Sequence, residues 1–311
     1  MVAMPRIKIA IVGLGKIARD QHVPALAANE QFELIAVASP HSRLQGLPHY
    51  ADLAALLRAV PEVSSVALCT TPQVRYDTAR YALQHGRHVL LEKPPGMTVS
   101  EVVELVRLAT EKKLTLFATW HSRHARAVQP AREWLAGRTI RSVRVDWKED
   151  VRVWHPGQTW IWRAGGLGVF DPAINALSIL TRIIPGGLML KDAELAFPSN
   201  CETPIAASVQ LACADGAPVH MQLDFLHPGT PCWDIRVDTD GGQLQLLSGG
   251  SVMQLDNRPL ATAPAEEYPS LYVHFAQLVH DRAIDVDLAP LQLVADAFLC
   301  GRRVEVAPFV E

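Results

Sequence analysis

Ile9-Ala10-Ile11-Val12-Gly13-Leu14-Gly15-Lys16-Ile17-Ala18 is the stretch that decides the fold. An apolar run leads into G-x-G-x-x-A, and a segment of helical character follows, so the glycines stand between a first strand and a first helix. Gly13 then permits the tight turn, Gly15 lets backbone approach a pyrophosphate, and Ala18 is small enough for close helix packing. The helix start, with Lys16 and Ile17, offers N–H groups and the positive end of a dipole to phosphates. A tight turn without a ligand is the plainer alternative; the surrounding pattern favours a dinucleotide.

That pattern alternates. Arg6–Gly13, Phe32–Ser39, Ser65–Thr70, His88–Leu91 and Leu114–Thr119 read as strands, with helices expected over Ile17–Asn29, Ala51–Ala59, Val74–His85 and Val99–Lys112. Strand and helix in alternation imply a parallel sheet covered on both faces, a doubly wound α/β fold of the Rossmann kind. After Trp120 the pattern changes. A helix over Ala127–Ala136, a half-buried strand over Ile140–Asp150 and a Trp- and Gly-rich loop precede a helix from Leu167 to Ile183. Strand-like runs from Leu188 to Asp256, broken by Asp215-Gly216 and Asp240-Gly241-Gly242, predict a mostly antiparallel sheet, and helices near Ser270–Arg282 and Pro290–Arg303 close the chain. The expected division is a dinucleotide-binding domain over 1–122 and an α+β substrate domain over 123–311, closely packed with a cleft.

The whole chain bounds this reading. At 311 residues it suits two domains of roughly 150 residues each. With 49% hydrophobic residues and a net charge of −3 it can build sizeable cores, and a general nucleic-acid-binding surface is not expected. No apolar run approaches the roughly 20 residues of a membrane span, and residues 1–8 lack the pattern of a signal peptide. Cys69, Cys201, Cys213, Cys232 and Cys300 are scattered without a Cys-x-x-Cys pair and read as reduced thiols of a cytoplasmic protein.

The end of the second strand bears on cofactor choice. NAD sites carry an acidic residue about 20 positions beyond the glycines. Here the chain reads Ser39-Pro40-His41-Ser42-Arg43, with no carboxylate to repel a 2′-phosphate and with Ser39, His41, Ser42 and Arg43 able to bond one. Pro40 offers no N–H. NADP, or use of both cofactors, is expected ahead of strict NAD use.

His88-Val89-Leu90-Leu91-Glu92-Lys93-Pro94 is a strand ending in a charged turn at the sheet edge where such folds bind ligands. With the fingerprint, Thr71-Pro72-Gln73, Gly86-Arg87-His88-Val89 and Gly165-Gly166-x-Gly168-x-x-Asp171, the chain resembles the Gfo/Idh/MocA oxidoreductase family from end to end. Thr119-Trp120-His121-Ser122, Trp147-Lys148-Glu149-Asp150, Trp154-His155-Pro156-Gly157-Gln158 and the string from Gly166 to Ile179 are most similar to the family's bacterial L-arabinose/D-galactose 1-dehydrogenases. The resemblance implies an NAD(P)-dependent enzyme that oxidises C1 of a pyranose to the aldonolactone. It also implies an open antiparallel sheet in the second domain, whose uncovered face, if apolar, would join copies into a homo-oligomer. A family member acting on another polyol or cyclic alcohol, or a non-catalytic cofactor-bound sugar sensor, is the alternative.

Many relatives carry Asp and His four residues apart after the glycine turn; here the pair is Asp171 and Asn175, which share a helix face. An amide cannot act as a base, so Asn175 orients and the proton leaves through Asp171 or Lys93. Asp171 could also cap its helix near Pro172, and Lys93 could simply pair with Glu92. By the resemblance Lys93 lies beside the nicotinamide, as neutral base or charged polariser, with Glu92, Thr71, Pro72 and Gln73 also toward the cofactor. Six of the seven tryptophans fall between Trp120 and Trp162, and Trp154, His155, His121 and Glu149 are the expected sugar contacts, with Tyr76 left without a role. His121-x-x-His124 and His85-x-x-His88 lack a third ligand nearby, so no metal is expected.

Overall fold

The structure, a computed structural model, describes residues 5–264 and 266–311. The chain divides into two compact units: one runs to Trp120 and takes in Tyr268–Asp287, the other is His121–Glu267 with Leu288–Glu311. In chain order the strands are β1 (Ile7–Val12), β2 (Phe32–Ala38), β3 (His49–Tyr50), β4 (Ser65–Leu68), β5 (His88–Leu91) and β6 (Leu116–Ala118). There follow β7 (Ile140–Lys148), β8 (Leu188–Pro198), β9 (Ala206–Cys213), β10 (Pro218–Asp224) and β11 (Cys232–Thr239). The last are β12 (Gly242–Leu247), β13 (Val252–Leu255), β14 (Arg258–Leu260), β15 (Ile284–Asp285) and β16 (Arg302–Val306).

The first unit is a parallel sheet in the order β15-β6-β5-β4-β1-β2-β3. The chain leaves β1 toward β2 and β3, then crosses back to pair β4 on the other side. The strand order therefore reverses between β1 and β4, and ligands bind beyond the carboxyl ends of the strands at such a switch point. Both faces are covered, which is why the strands are apolar at nearly every position. Ala10, Val12, Val66, Leu68, Val89 and Leu91 face one core with Leu56, Leu83 and Leu105 of the crossover helices. Ile9, Ile11, Ala67, Leu90 and Phe117 face the other.

That second face corrects the expected boundary at 122/123. It is covered by Tyr268, Leu271, Tyr272, Phe275 and Leu278 of helix Glu267–Asp281, and β15 then joins β6 as the sheet's edge. The physical reason is area: the short helical run from Lys16 to Ala27 leaves most of that face bare. The apolar stripe at 268, 271, 272, 275 and 278 has the helical spacing needed to close it. Helix Val99–Lys112 and strand β5 fall where the sequence pattern puts them. Thr98 and Glu101 form a reciprocal capping box that starts the helix.

The second unit is a sheet in the order β14-β13-β12-β11-β7-β10-β9-β8-β16, antiparallel except at β7–β10 and β8–β16. Val143, Val145, Trp147, Val219, Met221, Ile235 and Val237 are buried on one face, against which helix Phe170–Ile183 packs. Alternation turns Arg144, Asp146 and Lys148, with laterally paired Asp234, Arg236, His220 and Gln222, to the other. Asp146 pairs there with Arg144 at 2.9 Å and Lys148 at 3.0 Å. The uncovered face is thus ionic and polar, and the condition of an apolar face that would join copies is not met. Among the described residues no helix is long and apolar enough to cross a membrane.

Candidate active site

In the first unit the chain leaves β1 through Gly13 at φ +89°, a conformation that L side chains rarely adopt. A Cβ at Gly13 would lie 2.8 Å from the Thr70 nitrogen, so the turn needs glycine to pass the end of β4. At Gly15 a Cβ would meet nothing within 4 Å; the space above the turn is open. A pocket of about 410 Å³ beside it is lined by Gly13, Ala38, Pro40, Asp52, Thr70 and Asp77 among others. Thr70 Oγ1 is buried without a hydrogen-bond partner among the described residues. Open space, a lone buried hydroxyl and a pocket at the switch point fit the dinucleotide that the fingerprint implies.

The other expected cofactor residues divide. Ser39 is buried at the end of β2 and holds the loop through its carbonyl, which accepts from His49 Nε2 at 2.7 Å. His41 and Arg43 are exposed and Ser42 is half-buried. Lys16 pairs with Asp20 one turn on, and Ile17 is exposed beside the glycine turn. Arg19, which the sequence reading passed over, donates to the Arg43 carbonyl at 3.0 Å and so brings a second guanidinium to this loop. Thr71 stands before helix Pro72–Gln84, with Pro72 buried in its first turn, Gln73 half-buried and Tyr76 packed on the core.

Beyond β5 the charged turn is anchored from within. Glu92, expected at the cofactor, instead turns its carboxylate into the interior and is only 3% exposed. Its Oε1 lies 3.0 Å from His22 Nε2 and accepts from the Tyr268 hydroxyl at 2.9 Å, while Oε2 accepts from the Lys93 backbone N–H at 2.8 Å. A buried carboxylate needs these partners, because unpaired it would be heavily destabilised. His22 Nδ1 meets the Tyr272 hydroxyl at 2.7 Å. Burial works against a charged His22, but Cys69, Tyr272 and Glu92 around it prevail and hold it well above the usual histidine range. Burial pushes Tyr272 up to about 12. Arg75, also missed, is buried and donates to the carbonyls of Glu92 (2.7 Å), Pro94 and Thr70. Lys93 itself is half-buried at the sheet edge.

In the second unit the site is built at the end of β7. The strand stops at Lys148, Glu149 N–H bonds Asp224 O, and Asp150 caps the single turn Val151–Trp154 by accepting from Arg152 N–H. That turn swings His155 back toward Glu149, with His155 Nε2 3.0 Å from Glu149 Oε1. Trp233 Nε1 donates to Glu149 Oε2 at 2.8 Å, so both oxygens of this buried carboxylate are engaged. His155 Nδ1 lies 3.9 Å from Asp171 Oδ2.

Asp171 is 2% exposed in the first turn of helix Phe170–Ile183. The helix cap is Val169, and no side chain caps it, so the capping role weighed for Asp171 is not the one it plays. Gly168 before it has φ +54°, and a Cβ there would lie 2.2 Å from the Pro204 carbonyl oxygen. Only glycine lets the helix start this close to the neighbouring strand entry. Asn175, one turn on, keeps Oδ1 buried without a hydrogen-bond partner among the described residues. Trp154 is 43% exposed and meets Trp233 edge to face at 5.0 Å.

His121 bonds Glu267 at 2.5 Å, in the same unit. His85 bonds the Tyr81 carbonyl and His88 accepts from Thr115 N–H, so each of these rings already serves the fold. Sequence reasoning missed Trp233, the seventh tryptophan; its signal was the register of β11 on β7, which sets it opposite Trp147.

The model for the oxidoreductase family with an NAD-binding Rossmann fold, Gfo/Idh/MocA, matches residues 7–119. Galactose 1-dehydrogenase from Pseudomonas fluorescens is 43% identical over 308 residues, covering 99% of this chain and 100% of that protein. The crystal structure of D-galactose-1-dehydrogenase from Rhizobium etli superposes with a TM-score of 0.95 at 50% identity, each chain covered in full. A 3-ketoreductase from Actinomadura kijaniata, solved with NADP and TDP-benzene, shares the fold at a TM-score of 0.84 and 18% identity over 97% of this chain and 100% of that one.

Proposed function

Because the chain belongs to the Gfo/Idh/MocA oxidoreductase family, we propose that it is a nicotinamide-dependent sugar 1-dehydrogenase, oxidising C1 of D-galactose or L-arabinose to the aldonolactone. The observation that carries the reading is the series Glu149–His155–Asp171, two buried carboxylates about a half-buried ring, beside Trp154 and Trp233. Carboxylates and an imidazole are what sugar hydroxyls bond, and exposed indole faces are what sugar C–H faces stack on. The two sugars share ring stereochemistry except for the C5 substituent, so one pocket admits both.

A bound nicotinamide would supply the acceptor for the C1 hydride. Asp171 takes the C1 hydroxyl proton and Lys93 polarises the same oxygen as a cation. Asn175 orients through its buried Oδ1, and Glu149, His155, Trp154 and His121 hold the remaining hydroxyls and ring. For the cofactor, the absence of a carboxylate from 39–43 together with Arg19 and Arg43 supports NADP, or both cofactors, over strict NAD use. Self-association through the second sheet, implied only if its open face were apolar, loses that support because the face is ionic and polar. Its five free thiols fit a cytoplasmic setting.

A panel of aldoses and cyclitols with NAD and NADP, followed by nicotinamide absorbance, tests the function. Turnover of D-galactose or L-arabinose is expected. Turnover of cyclitols alone, or tight cofactor binding without turnover, would overturn it.

A further inference from the structure

A buried polar cluster of the first unit lies beneath Lys93, and nothing in the reaction as proposed uses it. His22, Tyr268, Tyr272 and Glu92 are all at most 4% exposed. They come from three separate places in the chain: the fingerprint helix, the turn after β5 and the helix that returns at Glu267–Asp281. Burying a carboxylate and an imidazole together is unfavourable unless geometry and hydrogen bonding compensate, and hydrophobic residues of similar volume would often serve stability equally well. A role beyond packing is therefore worth testing.

We propose that His22 and Glu92 are positioning residues for Lys93, with Tyr268 and Tyr272 holding the pair in place. The link is direct. One oxygen of Glu92 receives the backbone N–H of Lys93, and the other is fixed by His22 and Tyr268. Arg75 holds the carbonyls on either side, those of Glu92 and Pro94. The peptide that carries Lys93 is thus clamped at its N–H and at both flanking carbonyls. A long lysine side chain has several rotatable bonds, so the place its ammonium reaches depends on how firmly its backbone is set. Polarising an oxygen that develops charge demands such preorganisation. Burial disfavours a charged His22, but Cys69, Tyr272 and Glu92 favour its protonated form, which donates to Glu92 and to the Tyr272 oxygen. The second Glu92 oxygen accepts from Lys93 N–H.

The proposal rests on Lys93 acting in the proposed reaction, and the test separates the two. In Glu92→Gln one oxygen is replaced by an amide nitrogen, so the side chain can no longer accept from Tyr268 and Lys93 together; His22→Leu removes the ring's bonds to Glu92 and Tyr272. Each is made in the wild type and in Lys93→Ala. Backbone hydrogen exchange of the segment 88–96 is measured alongside kcat, KM for sugar and cofactor affinity. Faster exchange at Lys93, a kcat at least tenfold lower, KM and cofactor affinity within about threefold, and no further loss in the Lys93→Ala background are expected. An equal fall of kcat in both backgrounds, or unchanged exchange at Lys93 in folded Glu92→Gln, would overturn it. If the wild type oxidises no sugar, the exchange arm alone decides the positioning claim while the functional reading fails. Tyr268→Phe, which keeps the ring and removes one hydrogen bond, gives the milder check should the other variants not fold; it is expected to lower kcat less and in the same direction, and an unchanged kcat and exchange would count against the proposal.

Discussion

Nδ1 of His155 stands 3.9 Å from Oδ2 of Asp171, while Nε2 of the same ring is 3.0 Å from Glu149. The ring lies between two carboxylates that are each almost fully buried. An imidazole held on one side by Glu149 has a fixed orientation, and it turns its other nitrogen toward the group proposed to take the proton. Asp171→Ala is expected to lower kcat by about 10²–10⁴-fold with cofactor affinity nearly unchanged. Asn175→Ala should cost less. Lys93→Arg, which keeps a cation unable to deprotonate, should retain part of the activity. Near-normal turnover of Asp171→Asn from pH 6 to 9 would move the base elsewhere.

Glu149→Gln leaves His155 with a neutral partner at Nε2 and Trp233 with a weaker acceptor. The expected result is a KM for sugar raised about tenfold or more, since a hydrogen bond to a charged group contributes about 1.5–3 kcal/mol. Trp233→Phe removes only the indole donor and should cost less. Steady-state kinetics of both variants with the preferred sugar is the check, and an unchanged KM in Glu149→Gln would remove this carboxylate from the sugar site.

Cofactor choice gives a third expectation. Wild type should favour NADP modestly or use both cofactors. Arg19→Ala should weaken NADP more than NAD, and Ser39→Asp should shift preference to NAD by charge repulsion. The ratio of kcat/KM for the two cofactors measures it. A wild-type preference for NAD above tenfold, about 1.4 kcal/mol, would contradict the assignment.

The charged state of His22 makes stability depend on pH. Its folded value is raised, so its contribution is complete below about pH 6.5, the unfolded value, and is lost as pH rises through the folded one. Over that window the wild type should lose up to about 1.4 kcal/mol per pH unit relative to His22→Gln. Urea midpoints between pH 6.5 and 9 test this. Parallel curves for the two proteins would mean that His22 is neutral in the fold.

How much of this the sequence carries depends on distance along the chain. The fingerprint, β5 and helix Val99–Lys112 are written in neighbouring residues, by glycine spacing, an apolar run and a capping box, and each is legible alone. Two-residue strands such as β3 have no periodicity to read. In the second unit, Glu149, His155 and Asp171 stand out as polar residues in an aromatic stretch, but only the fold brings one ring between two carboxylates. Trp233, 84 positions from its partner Glu149, is set by strand register alone. His22 and Arg75 do not stand out in the sequence because burial of a charge leaves no local mark; their partners lie in backbone carbonyls and in tyrosines far along the chain.

The hydroxyl that meets His22 belongs to Tyr272, 250 positions later. A nascent chain that has emerged only as far as β6 therefore has a sheet with one bare apolar face, no β15 edge and a Glu92 lacking one of its donors. The residues up to β6 are synthesised first but can complete their fold only once Tyr268–Asp287 has followed. Contacts so distant in sequence slow folding and prolong exposure of apolar surface. A nucleotide-binding fragment cut at residue 122 should consequently aggregate, whereas one rejoined to Tyr268–Asp287 by a short linker holds every strand of the sheet.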